Sequence, residues 1–583
     1  MNEPVIMTNP ARCRDCYLCV RNCGVKAIRV KEHQANVVPE LCIICGTCVR
    51  VCPQEAKSIQ SARQEIEGAR DRGLKIVASV APSAPAFFNM GSFAEMEKAL
   101  LDLGCHAAEE TAIGAEIVGL AHREYMEANR DRWPIITSSC PVVVNLIEQY
   151  HPDLIGHLAP IVSPMIAHGR LLKKKYGEDA YVVFVGPCIA KKAEMHAESV
   201  SGVIDAVITF RGLLELFIEN GVTLQPGEEP SSEATPEMAR LFPIEGGLVG
   251  TARMNTDILE GSMIVASGLD SIGDILSDIR AGTLKAGIVE LLACKGGCVN
   301  GPAMAGLSGS LYLARQKIIE FNARRQNDLH IPREEWPDLT RTYRDRKVYV
   351  PEFSEEQIQE VLHRVNKYTR EDELNCGACG YSSCREKAVA TLRGMAEATM
   401  CIPNMRSRSE SLRQVVMDLI PNAIIIFDNN LIINDMSPSA EALFQCKLAD
   451  VEGKHLSTLV SVLDDYISVR DTKQPVYAKA CRIREDIVTK QTVVPVEGQG
   501  LLVAVIRDVT EREREKEKFN AIREETLQRT REVVSKQMRV AHEIAHLLGE
   551  TTAESKTIFS HLAKLLGEEG GKRGRSSNTP GRT

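Results

Sequence analysis

Sixteen of the nineteen cysteines in this 583-residue chain fall into four sets of four, and that grouping narrows what the chain can fold into. Two sets are adjacent: Cys13, Cys16, Cys19 and Cys23, then Cys42, Cys45, Cys48 and Cys52, the last followed by Pro53. Each reads C-x2-C-x2-C-x3-C. In that pattern three closely spaced thiolates take three corners of one [4Fe–4S] cube, and the fourth reaches across to a second cube. A disulfide framework is the other use of so many cysteines. A long chain whose N-terminus, MNEPVIMTNP, lacks a basic-then-apolar leader argues instead for a reducing compartment. The expectation is a cytoplasmic electron-transfer protein, from an anaerobe because oxygen destroys exposed clusters.

A net charge of −8 offers no basic face to nucleic acid, and no apolar run nears the roughly 18 residues of a membrane span. Residues 1–62 read as a two-[4Fe–4S] ferredoxin-like domain, followed by a polar helical link, SARQEIEGARDRG. Over 74–326, short β-branched runs (LKIVASV, WPIITSS, AYVVFVG, DAVITF, SMIVASG, AGIVELL) alternate with amphipathic stretches. That is the pattern of an α/β domain with largely parallel sheets, whose chemistry collects in the loops beyond the strand ends. Three such loops carry Cys140, Cys188, and Cys294 with Cys298. All four can converge at one end of a sheet and hold one more cube. Buried structural thiols are the plainer reading of those four.

Residues 327–410 read as a charged linker and a small domain with Cys376, Cys379, Cys384 and Cys401. Residues 411–510 have short strands and one or two small helices, a small α+β sensor-like pattern. A charged helix over 511–566 carries Thr526, Thr530, Val533, Gln537, Val540, Ile544 and Leu547 at alternating four and three spacing, a coiled-coil seam, though a solvated single helix fits a seam this polar too. The tail 567–583 is expected to be disordered. Cys105, Cys446 and Cys481 are scattered and read as structural thiols.

The local words around the second group of cysteines are more specific than their spacing. TSSCP, PCIAKKAE and ELLACKGGCVNG resemble the three cysteine motifs of the [FeFe]-hydrogenase catalytic domain, and VAPSAP and HLAPIVSP agree with its flanking text. The resemblance implies an H-cluster: a [4Fe–4S] cube joined through one cysteine sulfur to a diiron unit with carbon monoxide, cyanide and azadithiolate. On that reading Cys140, Cys188 and Cys294 hold the cube and Cys298 bridges to the diiron unit. Lys191 takes the place where a lysine hydrogen-bonds a cyanide, Lys192 has no such role, and Glu194 and Glu290 brace the loops. With the two ferredoxin-type sites and the Cys376 site, the total is four [4Fe–4S] clusters.

Departures from the family pattern lie along the proton path. The prototypical enzymes carry a relay cysteine where this chain has Ser139, and a hydroxyl is far less acidic than a thiol of pKa about 8.5. Ala159 stands at a relay serine, and His122 and Tyr125 stand near the outer glutamates. Gly186, Leu292 and Met165 replace two methionines and a glutamine. The 411–510 segment resembles a PAS domain, and the whole resembles the sensory (HydS-type) [FeFe]-hydrogenases. The implied function is slow, reversible dihydrogen oxidation whose redox state biases a PAS and coiled-coil output, with a homodimer, an electron carrier such as ferredoxin, and a separate kinase, phosphatase or regulator as partners. His455 is the segment's one histidine, so its ligand stays open, with haem disfavoured. Two other readings stand beside this: an ordinary catalytic hydrogenase, and a non-catalytic, Narf-like iron–sulfur protein without the diiron unit.

Overall fold

The computed structural model describes residues 4–225, 238–254, 262–304, 310–324, 331–484, 487–498, 500–548 and 557–564. It divides into two compact units, Met1–Arg406 and Ser407–Thr583.

The first unit opens with an antiparallel pair, Ile6–Thr8 with Lys57–Ile59, which brings the two ends of the double cysteine segment together. Each cysteine run then folds alike. The residues flanking its middle cysteine, Asp15 and Tyr17 or Ile44 and Gly46, take left-handed backbone, with φ of 54°, 57°, 61° and 73°. Such backbone curls the loop tightly around that cysteine, at ~1–2 kcal/mol for each non-glycine. The third cysteine of each run sits in a one-turn helix, Leu18–Arg21 or Thr47–Arg50. Gly46 is needed twice over. Beyond its positive φ, a Cβ there would stand 2.5 Å from Pro302 Cβ and 2.9 Å from Ile189 Cδ1.

Two parallel sheets follow. One has the order Ala107–Glu110, Ile76–Val80, Tyr181–Gly186, Ala206–Thr209; the other has Met263–Ser267, Ile288–Leu292, Ile135–Ile136. Ile76–Val80 and Ile288–Leu292 are buried along their whole length, as parallel strands covered by helices on both faces must be. The cysteine loops therefore do not share one sheet end, as the sequence led us to expect. Cys188 follows a strand of the first sheet, whereas Cys140 and Cys294 follow strands of the second. Loops from both sheets nonetheless bring these cysteines within electrostatic reach of one another. Ala107–Glu110 was not legible as a strand, because Ala-Ala-Glu-Glu lacks β-formers. Tertiary partners hold it: Glu109 accepts hydrogen bonds from Lys175 Nζ at 2.8 Å and Tyr176 Oη at 2.7 Å, and Glu110 accepts one from Arg240 Nε at 2.8 Å.

Part of the segment that reads as a linker is a strap across this core. Val162 N donates to Leu339 O at 2.9 Å, Arg346 N to Glu148 O at 3.0 Å, and Val348 N to Gln149 O at 2.9 Å. Beyond it, helices Glu355–His363 and Cys384–Leu392 pack through Val361, Leu362 and Ala388 into a small lobe. Ser354 and Ser383 cap their N-termini. Tyr381, Ala390, Met395, Ala396 and Met400 of that lobe share a core with Ile6, Val20, Ile28 and Val30 of the cysteine-rich N-terminus.

In the second unit an antiparallel sheet runs Ile433–Met436, Ala423–Asp428, Leu501–Asp508, Ile487–Val496, Val476–Arg484. Three of these strands have eight to ten residues, longer than the sequence pattern implied. Helices Pro438–Phe444, Leu448–Val451 and Asp464–Thr472 follow the first two strands, and a core including Phe427, Leu456, Tyr466, Leu502 and Ile506 fills the unit. Thr510–Leu548 is a single helix. Along it Val533, Val540 and Ile544 are exposed, while Thr526 and Thr530 donate to the carbonyls four residues back. The Leu547 side chain and the tail 567–583 lie outside the described residues. No helix among the described residues is long and apolar enough to cross a membrane.

Candidate metal centres

Cys140 is the N-cap of helix Pro141–Tyr150, with Pro141 supplying the preset φ of the first helical turn. Cys188 comes two residues after the Tyr181–Gly186 strand, and Cys294 two after Ile288–Leu292. Gly296 and Gly297, with φ of 79° and 101°, turn the chain into a one-turn helix beginning at Cys298. A side chain on Gly297 would collide with Pro243 O and the Ile244 backbone. Burial pushes the Cys188 thiol up to about 11, with Cys140 adding to it. Cys294 and Cys298 also rise, by burial first and then through the other cysteines of the set. Three thiols held up by burial, with Cys140 acting on each of them, fit a cationic, thiophilic centre that compensates the thiolates together.

The two neighbouring lysines have different fates. Lys191, buried, donates through Nζ to Glu194 Oε2 at 2.6 Å and lies within electrostatic reach of Cys188 and Cys298. Lys192 turns to the sheet and donates to Val207 O at 2.5 Å, burial drawing it down to about 8. Arg341, from the strap, holds the other oxygen of Glu194. Burial alone would raise the Glu194 carboxyl, and the two cations more than offset it, so its pKa is lowered. Arg341 escaped the sequence reading because its basic stretch, RTYRDRK, looks like linker.

Ser139 Oγ is buried without a hydrogen-bond partner among the described residues. Its neighbour Ser138 donates to Ile161 O at 2.7 Å and sits 3.3 Å from His122 Nε2. His122 donates from Nδ1 to Val118 O at 2.8 Å, and burial lowers its pKa to about 4, so it is neutral at pH 7. Tyr343 Oη donates to Ala159 O at 2.6 Å, and burial raises that phenol to about 12. Tyr125 accepts from Arg132 at 2.9 Å. Sequence reasoning missed Ser138 and Tyr343. Glu290 is buried, one oxygen accepting from Val249 N at 3.1 Å and the other unpartnered among the described residues. Burial raises it to about 7. Gly186 lies against Phe184 and Ala81, and Met165 and Leu292 are buried.

In the N-terminal lobe, Cys13 and Cys16 act electrostatically on Cys19, whereas Cys23 and Cys45 act on both Cys42 and Cys48. Cys23 thus stands with the second run. Backbone N–H groups face three of the sulfurs: Ala27 to Cys23 at 3.2 Å, Ile44 to Cys42 at 3.3 Å, and Ala56 to Cys52 at 3.3 Å. The third set, Cys376, Cys379, Cys384 and Cys401, lines a small pocket with Lys387 at its wall. Lys387 is buried, donates to Ala398 O at 3.1 Å, and feels Cys401, Cys379 and Cys384. Among the described residues no three His, Cys, Asp or Glu side chains close round a point as one metal ion requires. Cys105 is half-buried, and burial raises its thiol to about 12. His455 is exposed and bonded to Ser457.

Residues 74–302 match the family described as iron only hydrogenase large subunit, C-terminal domain; residues 5–53 match the 4Fe-4S dicluster domain, and residues 372–403 an Fe-S cluster family. The NADP-reducing hydrogenase subunit HndD of Solidesulfovibrio fructosivorans is 24% identical over 52% of this chain and 64% of its own length. Iron hydrogenase 1 of Clostridium pasteurianum is 25% identical over 53% and 64%. The probable cytosolic Fe-S cluster assembly factor oxy-4 of Caenorhabditis elegans is 25% identical over 52% and 80%. The chain spans less than two thirds of the first two relatives.

Proposed function

We propose that this chain, which joins an iron-only-hydrogenase domain to 4Fe–4S domains, is a cytoplasmic dihydrogen sensor: a sensory (HydS-type) [FeFe]-hydrogenase of low turnover. Cys140, Cys188 and Cys294 would hold the cube of an H-cluster, Cys298 would bridge to its diiron unit, and Lys191 would face a cyanide. When bound, that cofactor supplies the chemistry that splits dihydrogen into protons and electrons. The chain's part is to hold the centre, exclude water and move protons. Glu194, itself held by Arg341, keeps Lys191 Nζ in place beside the cysteines.

The observation that carries the reading is the contrast beside Cys140. The holding residues are complete, yet the adjoining proton position is Ser139, whose hydroxyl has no partner to pass a proton to among the described residues. Ala159 offers none, and Tyr343 is engaged on a backbone carbonyl. Ser138 and His122 lie alongside, but a histidine pushed to about 4 accepts protons poorly at pH 7. Cofactor ligands kept with the relay broken would suit reporting rather than bulk turnover.

The second unit supports an output role. Its five-stranded antiparallel sheet with three small helices, followed by a 39-residue helix, suits a PAS domain feeding a signalling helix. The exposed Val533, Val540 and Ile544 would pair with a second copy to form a homodimeric coiled coil. An electron carrier such as ferredoxin and a separate kinase, phosphatase or regulator complete the expected partners.

Infrared spectra of anaerobically matured protein, under argon and then dihydrogen, test this. Carbon monoxide and cyanide bands that shift with the gas are expected. Their absence after competent maturation would overturn the reading and favour the second one, a non-catalytic multi-cluster protein, for which the likeness to an Fe-S assembly factor over half the chain speaks. Ser139→Cys should raise dye-linked turnover; fast wild-type turnover with no gain in the variant would point to an ordinary catalytic hydrogenase.

A further inference from the structure

The third cysteine set lies against one particular turn of the N-terminal lobe. Gly380, next to Cys379, has φ +94°, and a Cβ there would stand 2.8 Å from Val20 Cγ1 and 3.0 Å from Arg21 N. Lys26 Nζ donates to Gly380 O at 2.7 Å and to Val20 O at 3.3 Å, so one ammonium ties the two loops together. Between Val20 and Lys26 comes Cys23, whose N–H bonds to Val20 O and whose own carbonyl accepts from Lys26 N. Tyr381, 3% exposed, fills the seam, and both Cys379 and Cys23 act on it electrostatically. Arg393 of the small lobe acts on Tyr381 and also on Tyr150, which Cys23 and Cys42 reach as well. Two backbone N–H groups fix the lobe further out: Val30 N donates to Met395 O at 2.9 Å and Glu32 N to Glu397 Oε1 at 2.8 Å.

The centre to which Cys23 belongs has the Lys191-bearing domain on another side. Besides Gly46 against Pro302 and Ile189, Tyr150 Oη donates to Leu41 O at 2.6 Å and Arg50 Nη1 to Asn300 O at 3.2 Å. Cys16 of the first run is exposed, as is Cys376 of the small lobe's set, whereas Cys23 and Cys48 are buried.

We propose that electrons fork at the centre held by Cys42, Cys45, Cys48 and Cys23. One branch leads to the Cys13, Cys16, Cys19 and Cys52 centre, which faces solvent and exchanges electrons with a soluble carrier. The other passes through the Gly380–Tyr381 seam to the Cys376 centre and on to the output. The Cys376 centre is then filled directly from the catalytic side, not through the solvent-facing centre. A signalling branch separate from the exchange port lets the output follow dihydrogen while a carrier drains or supplies the other branch. Each step is a one-electron transfer between cubes: one is oxidised as its neighbour is reduced, with no bond made or broken. The proposal rests on the proposed function only for the origin of the electrons.

The test uses the full chain carrying its four cubes without the diiron unit, reduced with dithionite, so that a failed H-cluster does not enter. In electron paramagnetic resonance spectra of the reduced wild type, spin–spin coupling of the Cys376 centre is expected to the Cys23 centre. Gly380→Ala and Lys26→Met should remove that coupling and slow reduction of the Cys376 centre in rapid-freeze experiments, leaving the solvent-facing centre unaffected. Removing the solvent-facing centre by Cys16→Ala should leave the coupling in place. Coupling of the Cys376 centre to the solvent-facing centre, or its loss in Cys16→Ala, would overturn the fork. So would Gly380→Ala and Lys26→Met spectra identical to wild type.

Discussion

The Lys191–Glu194–Arg341 triad permits a quantitative prediction. Glu194 is 3% exposed and Arg341 5%, and the carboxylate spends one oxygen on each cation. Removing one partner of a buried ion pair costs ~3–5 kcal/mol, mostly because the remaining charge is stranded. Arg341→Met leaves Lys191 on the carboxylate and belongs at the lower end, ~3 kcal/mol. Glu194→Gln strands two buried cations and belongs at the upper end, ~5 kcal/mol. With both changes only Lys191 lacks its partner, so the double variant should cost no more than ~5 kcal/mol rather than ~8, a coupling of at least ~3 kcal/mol. The native Glu194 pKa is lowered, so its contribution is present above the unfolded carboxyl pKa of about 4.3 and is lost as pH falls through the native value. At pH 7 the full effect applies. Anaerobic urea titration followed by tryptophan fluorescence reads the right unit, because both tryptophans, Trp133 and Trp336, lie in Met1–Arg406. Additive single-variant costs, or costs under ~1 kcal/mol for each, would refute the buried-triad argument.

Three further outcomes are expected. His122 is held near pKa 4 against about 6.5 when unfolded, so wild type should lose ~3 kcal/mol of stability as pH falls from 6.5 to 4, and His122→Gln should not; parallel pH profiles of the two would contradict this. Lys387→Met removes a buried cation from the wall of the third cysteine set and should lower that centre's reduction potential, a tenfold change in its reduced fraction corresponding to ~59 mV, read by electron paramagnetic resonance titration; an unchanged or raised potential counts against it. Gly46→Ala should destabilise the first unit by more than the ~1–2 kcal/mol of left-handed strain, since its Cβ also meets Pro302 and Ile189; a loss within that strain alone would mean the loops can part freely.

Local chemistry made much of this protein legible from its residues. The spacing of Cys13 to Cys52 and the left-handed turns around Cys16 and Cys45 are properties of short segments. So are the six β-branched runs that became strands and the capped helices Glu355–His363 and Cys384–Leu392. Each is decided within a few residues, by sterics, by capping or by the burial period. Tertiary structure decided what depends on meetings between distant segments. It divided the parallel strands into two sheets and brought Cys140, Cys188, Cys294 and Cys298, from loops of both, within reach of one another. Lys191 and Lys192, adjacent and alike in sequence, went to a carboxylate and a carbonyl because one faces the cysteines and the other the sheet. Arg341 left an unremarkable charged stretch to close on Glu194, and Gly380 found Val20, because burial rewards a contact regardless of how much chain separates its partners. Periodicity and spacing record the backbone's local preferences; which buried charge finds which partner is set only when the core closes around both.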